Sequence, residues 1–253
     1  MTILKEYQRG LWLTELALGQ EVGFDVRGAV IVGSERVVVW DTLSHPRDML
    51  PVMPLVQDKP LTVVYSHADW DHAWGTAGLP YQEIVAHQVC LERFEQDVPL
   101  TLQEKQSTQP GEWDEVVLVA PTRILQEELI LDLGDVTLAL YHLPGHTHDC
   151  IVGLIPAWGV LLAGDTVETP FPILNEGGPL DVWLARLKIW AGDPRVQHVI
   201  PAHGPVGGRE LIQQNVKYLQ SLYEASSEVP ADLSDFYRKV HQANRDNAQK
   251  LRA

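Results

Sequence analysis

The chain has 253 residues and 45% of them are hydrophobic, enough for a sizeable buried core in one large or two small domains. Its 34 acidic residues outnumber 19 basic ones, and the resulting formal net charge of −15 repels phosphate backbones and argues against nonspecific nucleic-acid binding. Two cysteines with no CxxC pair exclude a cysteine-zinc knuckle, and Cys90 and Cys150 read as reduced, buried thiols.

No apolar run has the length of a membrane span. At the N-terminus Lys5, Glu6 and Arg9 interrupt the apolar stretch, and no cleavage site follows it. A cytoplasmic location is therefore expected, with a small-molecule substrate and neither nucleic acid nor membrane as partner.

Ala29–Val32 and Val37–Trp40 flank Gly33-Ser34-Glu35-Arg36 as a hairpin, which Asp41 ends. A short helix is expected from Pro46 to Gln57, opened by Ser44 or Pro46. Leu61–Tyr65 is a β-branched strand that runs into Ser66-His67-Ala68-Asp69-Trp70-Asp71-His72. A small strand follows at Ile84–Ala86, then a helix from His87 to Glu95. Residues 98–114, rich in Gln, Thr, Pro and Gly, read as a long loop or a helical excursion over the site.

The second half repeats the pattern. Glu128–Leu133 pairs with Val136–Tyr141 around Gly134-Asp135, and Ile151–Ile155 with Val160–Ala163 around Pro156-Ala157-Trp158-Gly159. Leu180–Trp190 has helical spacing and stops at Gly192-Asp193-Pro194. His198–Ile200 is a strand, Glu210 to about Glu224 an amphipathic helix, and Asp232–Ala253 a polar one. With no linker to divide the chain, the expectation is one α/β domain over 1–253, sheets inside and helices outside, with its C-terminal helices from about residue 208.

The chemistry concentrates in His67-x-Asp69-x-Asp71-His72, four candidate metal ligands in six residues at the end of a strand. Imidazole and carboxylate suit divalent ions such as zinc, iron or manganese. Three more strand ends carry one candidate each beside a small residue: Pro144-Gly145-His146-Thr147, Ala163-Gly164-Asp165-Thr166 and Pro201-Ala202-His203-Gly204.

Taken in this order, these elements resemble the metallo-β-lactamase superfamily, whose signature is an Asp ending an early strand, then HxHxDH, a lone His, a lone Asp and a lone His. Asp41 matches the first element; His67, Asp71 and His72 match three of the four signature ligands; His146, Asp165 and His203 match the last three. The resemblance spans about Ala29 to Gly204. It implies a four-layer αββα sandwich and a hydrolase with two divalent ions, zinc foremost and iron or manganese as alternatives. One ion would be held by His67, residue 69 and His146. The other would be held by Asp71, His72 and His203. Asp165 would bridge them, a hydroxide between the ions would be the nucleophile, and Asp41 would orient a ligand or the motif loop.

The departure is Asp69, where the family carries His. A carboxylate there is a competent ligand by its chemistry, but harder than imidazole, and it shifts preference toward iron or manganese. The superfamily's flavodiiron oxidoreductases also have a carboxylate at that position. They carry a fused flavin domain, whereas this chain ends about 50 residues after His203, so an unfused version is expected to need a separate electron donor. Hydrolysis of a small ester, thioester or lactone is therefore preferred, with a di-iron oxidoreductase or a phosphodiesterase as alternatives and a non-catalytic scaffold as a third class.

Asp71, Asp165 and His148 are the catalytic candidates, His148 as a proton donor or oxyanion partner. Glu168 and Thr169 reach either the pocket rim or solvent. His45 reads as a helix start, His87, His142 and His198 as structural histidines, and Trp70 and Trp74 as pocket walls or packing. No GxGxxG strand-turn-helix and no GxSxG elbow occurs.

Overall fold

Short β-branched runs with alternate residues on opposite faces build two sheets. The computed structural model describes residues 1–18, 25–229 and 232–252. Seven strands form the first sheet in sequence order: β1 Ile3–Gln8, β2 Leu11–Ala17, β3 Asp25–Val32, β4 Val37–Trp40, β5 Leu61–Val64, β6 Glu83–His87 and β7 Arg123–Leu125. Pairing is antiparallel from β1 to β4 and parallel from β4 to β7. The second sheet contains β8 Glu128–Asp132, β9 Thr137–His142, β10 Ile151–Ile155, β11 Val160–Gly164 and β12 His198–Pro201, in the order β12-β11-β10-β9-β8. Only its β11–β12 pair is parallel.

The four layers follow from the period-2 alternation of strands that are buried on both faces. In β4, Val38 and Trp40 point into the core between the sheets, while Val37 and Val39 point to an outer core. In β11, Val160 and Leu162 face inward and Leu161 and Ala163 outward. The first outer core is closed by the 3₁₀ turn Pro46–Val52, α1 Met53–Val56 and α3 Gln88–Glu95, through Met49, Val52, Val56, Cys90 and Phe94. α2 is the single turn Trp70–Ala73, and α4 spans Val98–Thr108. The second outer core is closed by α5 Leu180–Gly192 and α6 Arg209–Tyr223, with α7 Asp235–Lys250 packed on α6. The inner core is tight enough to dictate a residue type: a Cβ on Gly153 of β10 would lie 2.9 Å from the Trp40 ring.

The expected hairpins and helices are present, and residues 98–108 resolve as the helical alternative. β1, β2 and β7 have no counterpart in the sequence reading. β1 is an exposed edge strand with Lys5 and Glu6 in it, so its pattern looks like a surface segment. Cys90 and Cys150 are buried and unpaired. Ala253, the end of the expected tail helix, lies outside the described residues. No helix among the described residues is long and apolar enough to cross a membrane.

Candidate metal centre

β4, β5, β9, β11 and β12 all deliver their C-terminal ends to one edge of the sandwich. β4 and β5 are parallel, β11 and β12 are parallel, and β9 runs with β11 because both are antiparallel to β10. The turns leaving these ends must be sharp. Gly164 (φ 50°) and Gly204 (φ 96°) adopt the left-handed region beside Asp165 and His203. Asp41, directly after β4, does so at φ 59° although it carries a side chain, a strain of roughly 1–3 kcal/mol that its hydrogen bonds hold in place.

Two triads result. Ligand atoms of His67, Asp69 and His146 lie within 4.8 Å of one another, and so do those of Asp71, His72 and His203. Asp165 stands between them. Its Oδ2 is 3.8 Å from His67 Nε2 and 3.6 Å from His146 Nε2, while its Oδ1 is 3.3 Å from His72 Nε2 and 3.4 Å from His203 Nε2. Asp69 Oδ2 is 3.3 Å from His146 Nε2 and 3.5 Å from His67 Nε2.

Each ring is held through its other nitrogen, which leaves Nε2 directed inward. His72 Nδ1 lies 2.9 Å from Asp41 Oδ2, His146 Nδ1 2.9 Å from the Ile173 carbonyl, and His203 Nδ1 2.8 Å from the Asp25 carbonyl. Ser66 Oγ lies 3.0 Å from His67 Nδ1 and donates to Asp41 Oδ2, while the Ser66 amide donates to Asp41 Oδ1. Asp41 thus ties the start of the motif loop to its last histidine.

The cluster fits a cation. His67 Nε2, His72 Nε2 and Asp165 Oδ1 are buried without a hydrogen bond, an arrangement that is costly unless something positive lies among them. The electrostatics agree. Burial lowers a histidine, yet Asp69 and Asp165 raise His146 to about 10, and Asp165 raises His203 to about 9. Burial raises a carboxyl, yet His203 and His72 hold Asp165 well below its usual range. The carboxylates make this cavity one that stabilises positive charge.

The remaining candidates take up different places, and two further side chains join the site. His148 is exposed, with Nε2 3.0 Å from the Gly177 carbonyl, and it belongs to none of the converging groups among the described residues. Glu168 is buried beside His146 and Asp165; burial and Asp165 push its carboxyl up to about 7. His45 caps the 3₁₀ turn and stacks on Trp113. Trp74 packs in the first outer core, whereas Trp70 lines a cavity. Arg93 and Asp149 were not singled out: Arg93 Nη2 is 2.8 Å from Asp69 Oδ1 and its Nη1 3.1 Å from Asp149 Oδ1. The one available signal was the carboxylate at position 69 itself, which calls for a nearby cation.

Two triads sharing a carboxylate, at the strand-end edge of an αββα sandwich, define the metallo-hydrolase class of site. The family model of the metallo-beta-lactamase superfamily matches residues 26–203, and the chain belongs to that superfamily, whose fold implies divalent-metal binding; it is a hydrolase of that fold. It is 29% identical over 217 residues to the human protein named acyl-coenzyme A thioesterase MBLAC2, covering 72% of this chain and 74% of that one. Metallo-beta-lactamase type 2 from Bacteroides fragilis is 28% identical over 116 residues, covering 44% of this chain and 46% of that one. Among solved structures, a metallo-beta-lactamase from Pontibacter korlensis superposes with a TM-score of 0.67 at 18% identity, covering 87% of this chain and 99% of that one. The mono-zinc form of FIM-1 from Pseudomonas aeruginosa gives 0.66 at 20%, covering 90% and 97%. These structures share the fold.

Proposed function

We propose that this hydrolase cleaves a small thioester or ester at two divalent ions, zinc foremost. His67, Asp69 and His146 would hold one ion, Asp71, His72 and His203 the other, with Asp165 between them. The observation that carries the reading is the Asp165 carboxylate, which turns one oxygen to each triad. Bound in such a site, divalent ions lower the pKa of water and polarise a scissile carbonyl.

The chain's own groups account for the remainder. Asp41 and the carbonyls of Ile173 and Asp25 fix three rings with Nε2 turned toward the Asp165 carboxylate. Asp71 takes a proton from the attacking water and returns it to the leaving sulfur or oxygen, so that the products are a carboxylic acid and a thiol or alcohol.

A cavity of about 470 Å³ adjoins the motif loop and is lined by Leu16, Leu18, His45, Trp70, Lys105 and Trp113 among others. Its Leu16, Leu18, Trp70 and Trp113 surfaces suit an acyl chain, beside Ser44, Arg47, Asp48, Gln109 and Glu112, which make the rest of the wall polar. Lys105 Nζ stands 3.8 Å from the Trp70 ring centre and 4.7 Å from that of Trp113, and it makes no ion pair among the described residues. Such a cation favours a substrate with an anionic tail, and the human relative's name favours the thioester.

The test is thiol release from a series of acyl-coenzyme A esters by protein loaded with zinc and by protein stripped with chelator. Thiol release that depends on zinc is expected. Equal rates in stripped protein would remove the metal from the mechanism. Loaded protein that opens only lactones or oxygen esters would move the substrate class. Iron recovered together with reductant-dependent oxygen consumption would favour a redox enzyme.

A further inference from the structure

We infer that Arg93 is the positioning residue that lets Asp69 stand where the family has histidine. The inference rests on the two-ion reading above. An imidazole reaches an ion with one nitrogen and is neutral when it does. A carboxylate has two oxygens, a shorter reach and a negative charge. Asp69 must therefore be turned so that one oxygen faces the triad, and its added charge must be offset.

Arg93, on the last turn of α3, does both. Its Nη2 donates to Asp69 Oδ1 at 2.8 Å, which leaves Oδ2 facing His146 Nε2 at 3.3 Å and His67 Nε2 at 3.5 Å. The planar guanidinium is fixed from its other side. Nη1 donates at 3.1 Å to Asp149 Oδ1, and the fully buried Asp149 accepts through Oδ2 from the Ala68 amide at 2.8 Å. Asp97, one turn further along the chain, accepts from Nε and Nη2 at 3.2 and 3.0 Å. The fork geometry matters because a lysine offers a point charge and no rigid second prong. Arg93 and Asp149 together set both the backbone of the motif loop at Ala68 and the side chain of Asp69.

A rival account makes Arg93 only the counter-ion of buried Asp149 and a support for the loop. The two accounts differ in what a histidine at position 69 would do. If Arg93 acts through Asp69, an imidazole there makes the guanidinium dispensable. If it acts through Asp149 and the loop, its removal is equally damaging with either residue.

The experiment titrates Zn²⁺ against a chromophoric chelator, and records Co²⁺ absorption spectra, for the full-length protein and for Arg93→Gln, Asp69→His and the double variant. The wild type is expected to bind two equivalents. Arg93→Gln should lose at least tenfold in the affinity of one equivalent, within the usual 10- to 100-fold effect of residues that orient ligands, and lose that site's share of the Co²⁺ spectrum. The double variant should recover both equivalents and match Asp69→His. Unchanged binding in Arg93→Gln overturns the inference, and so does a double variant as weak as Arg93→Gln. A wild type that binds no metal overturns the two-ion reading and the inference with it; one that binds two ions indifferent to Arg93 overturns the inference alone. If Arg93→Gln does not fold, Arg93→Lys takes its place, with the same loss and the same rescue expected.

Discussion

The first sheet sends four candidate ligands from the end of one strand, β5, whereas the second sends three from the ends of β9, β11 and β12. The supports differ as well. In the first half, side-chain carboxylates hold the motif loop: Asp41 takes the candidate ligand His72 and the Ser66 amide, and Asp149 takes the Ala68 amide. In the second half, His146 is oriented by the Ile173 carbonyl, and His203 turns to a backbone carbonyl of the first half, Asp25. A carboxylate raises the basicity of the ring it touches and is lost with one substitution. A neutral backbone carbonyl orients the ring and raises its basicity less than a charged carboxylate does, and it persists as long as the fold does. The two halves therefore expose the site to mutation differently.

Four outcomes would break or sharpen that contrast. The largest is expected from Asp165→Ala, which removes a carboxylate that faces both triads; hydrolysis should fall to the uncatalysed background and metal analysis should show fewer than two equivalents. Full activity in that variant would end the shared-carboxylate reading. Next, Asp41→Asn should weaken metal binding by about 10- to 100-fold, measured by chelator competition, because His72 loses its carboxylate partner. An effect below threefold would mean that the carboxylates of the first half contribute no more than the neutral carbonyls of the second half do.

A smaller effect is expected outside the ligand set. Lys105→Met should raise KM for an anionic thioester by roughly two- to fivefold with kcat little changed, the size of a partly exposed ion pair of about 0.5–1 kcal/mol. A neutral thioester of equal chain length should not respond.

The smallest concerns the stacked rings of His87 and His142, one from each sheet, with centres 3.7 Å apart. Burial lowers both, and the facing His142 lowers His87 further. With the folded values below the unfolded 6.5, the unfolded chain takes up protons first as pH falls. The pair's stabilisation is therefore complete above about pH 6.5 and is lost progressively below it. Melting temperatures at pH 7.5 and 5.5, taken with chelator present, should converge in His87→Gln relative to the wild type. An unchanged difference would remove the pair from the acid response.

Legibility in the sequence followed the range of the interaction. Strand runs such as Val37–Trp40 and Leu61–Val64 were readable because a strand buried on both faces needs continuous apolar residues. β1 escaped notice because an exposed edge carries charges. The strand-end positions of His67, His146, Asp165 and His203 were readable because sharp turns need small residues beside them. The orientations of His148 and Glu168 were not, since the residue three positions from Asp165 turned out buried and the one two positions from His146 exposed.

What the sequence by itself determined is the set of candidate ligand types, their order and their places at strand ends, because side-chain chemistry and strand period are local properties. Only the tertiary structure decided which atoms meet. Stacking the two sheets brings five strand ends to one edge, so that one Asp165 oxygen faces each triad. Packing α3 against the first sheet brings Arg93 to Asp69 across 24 positions of sequence. Those distances depend on how whole layers pack, and no local period encodes them.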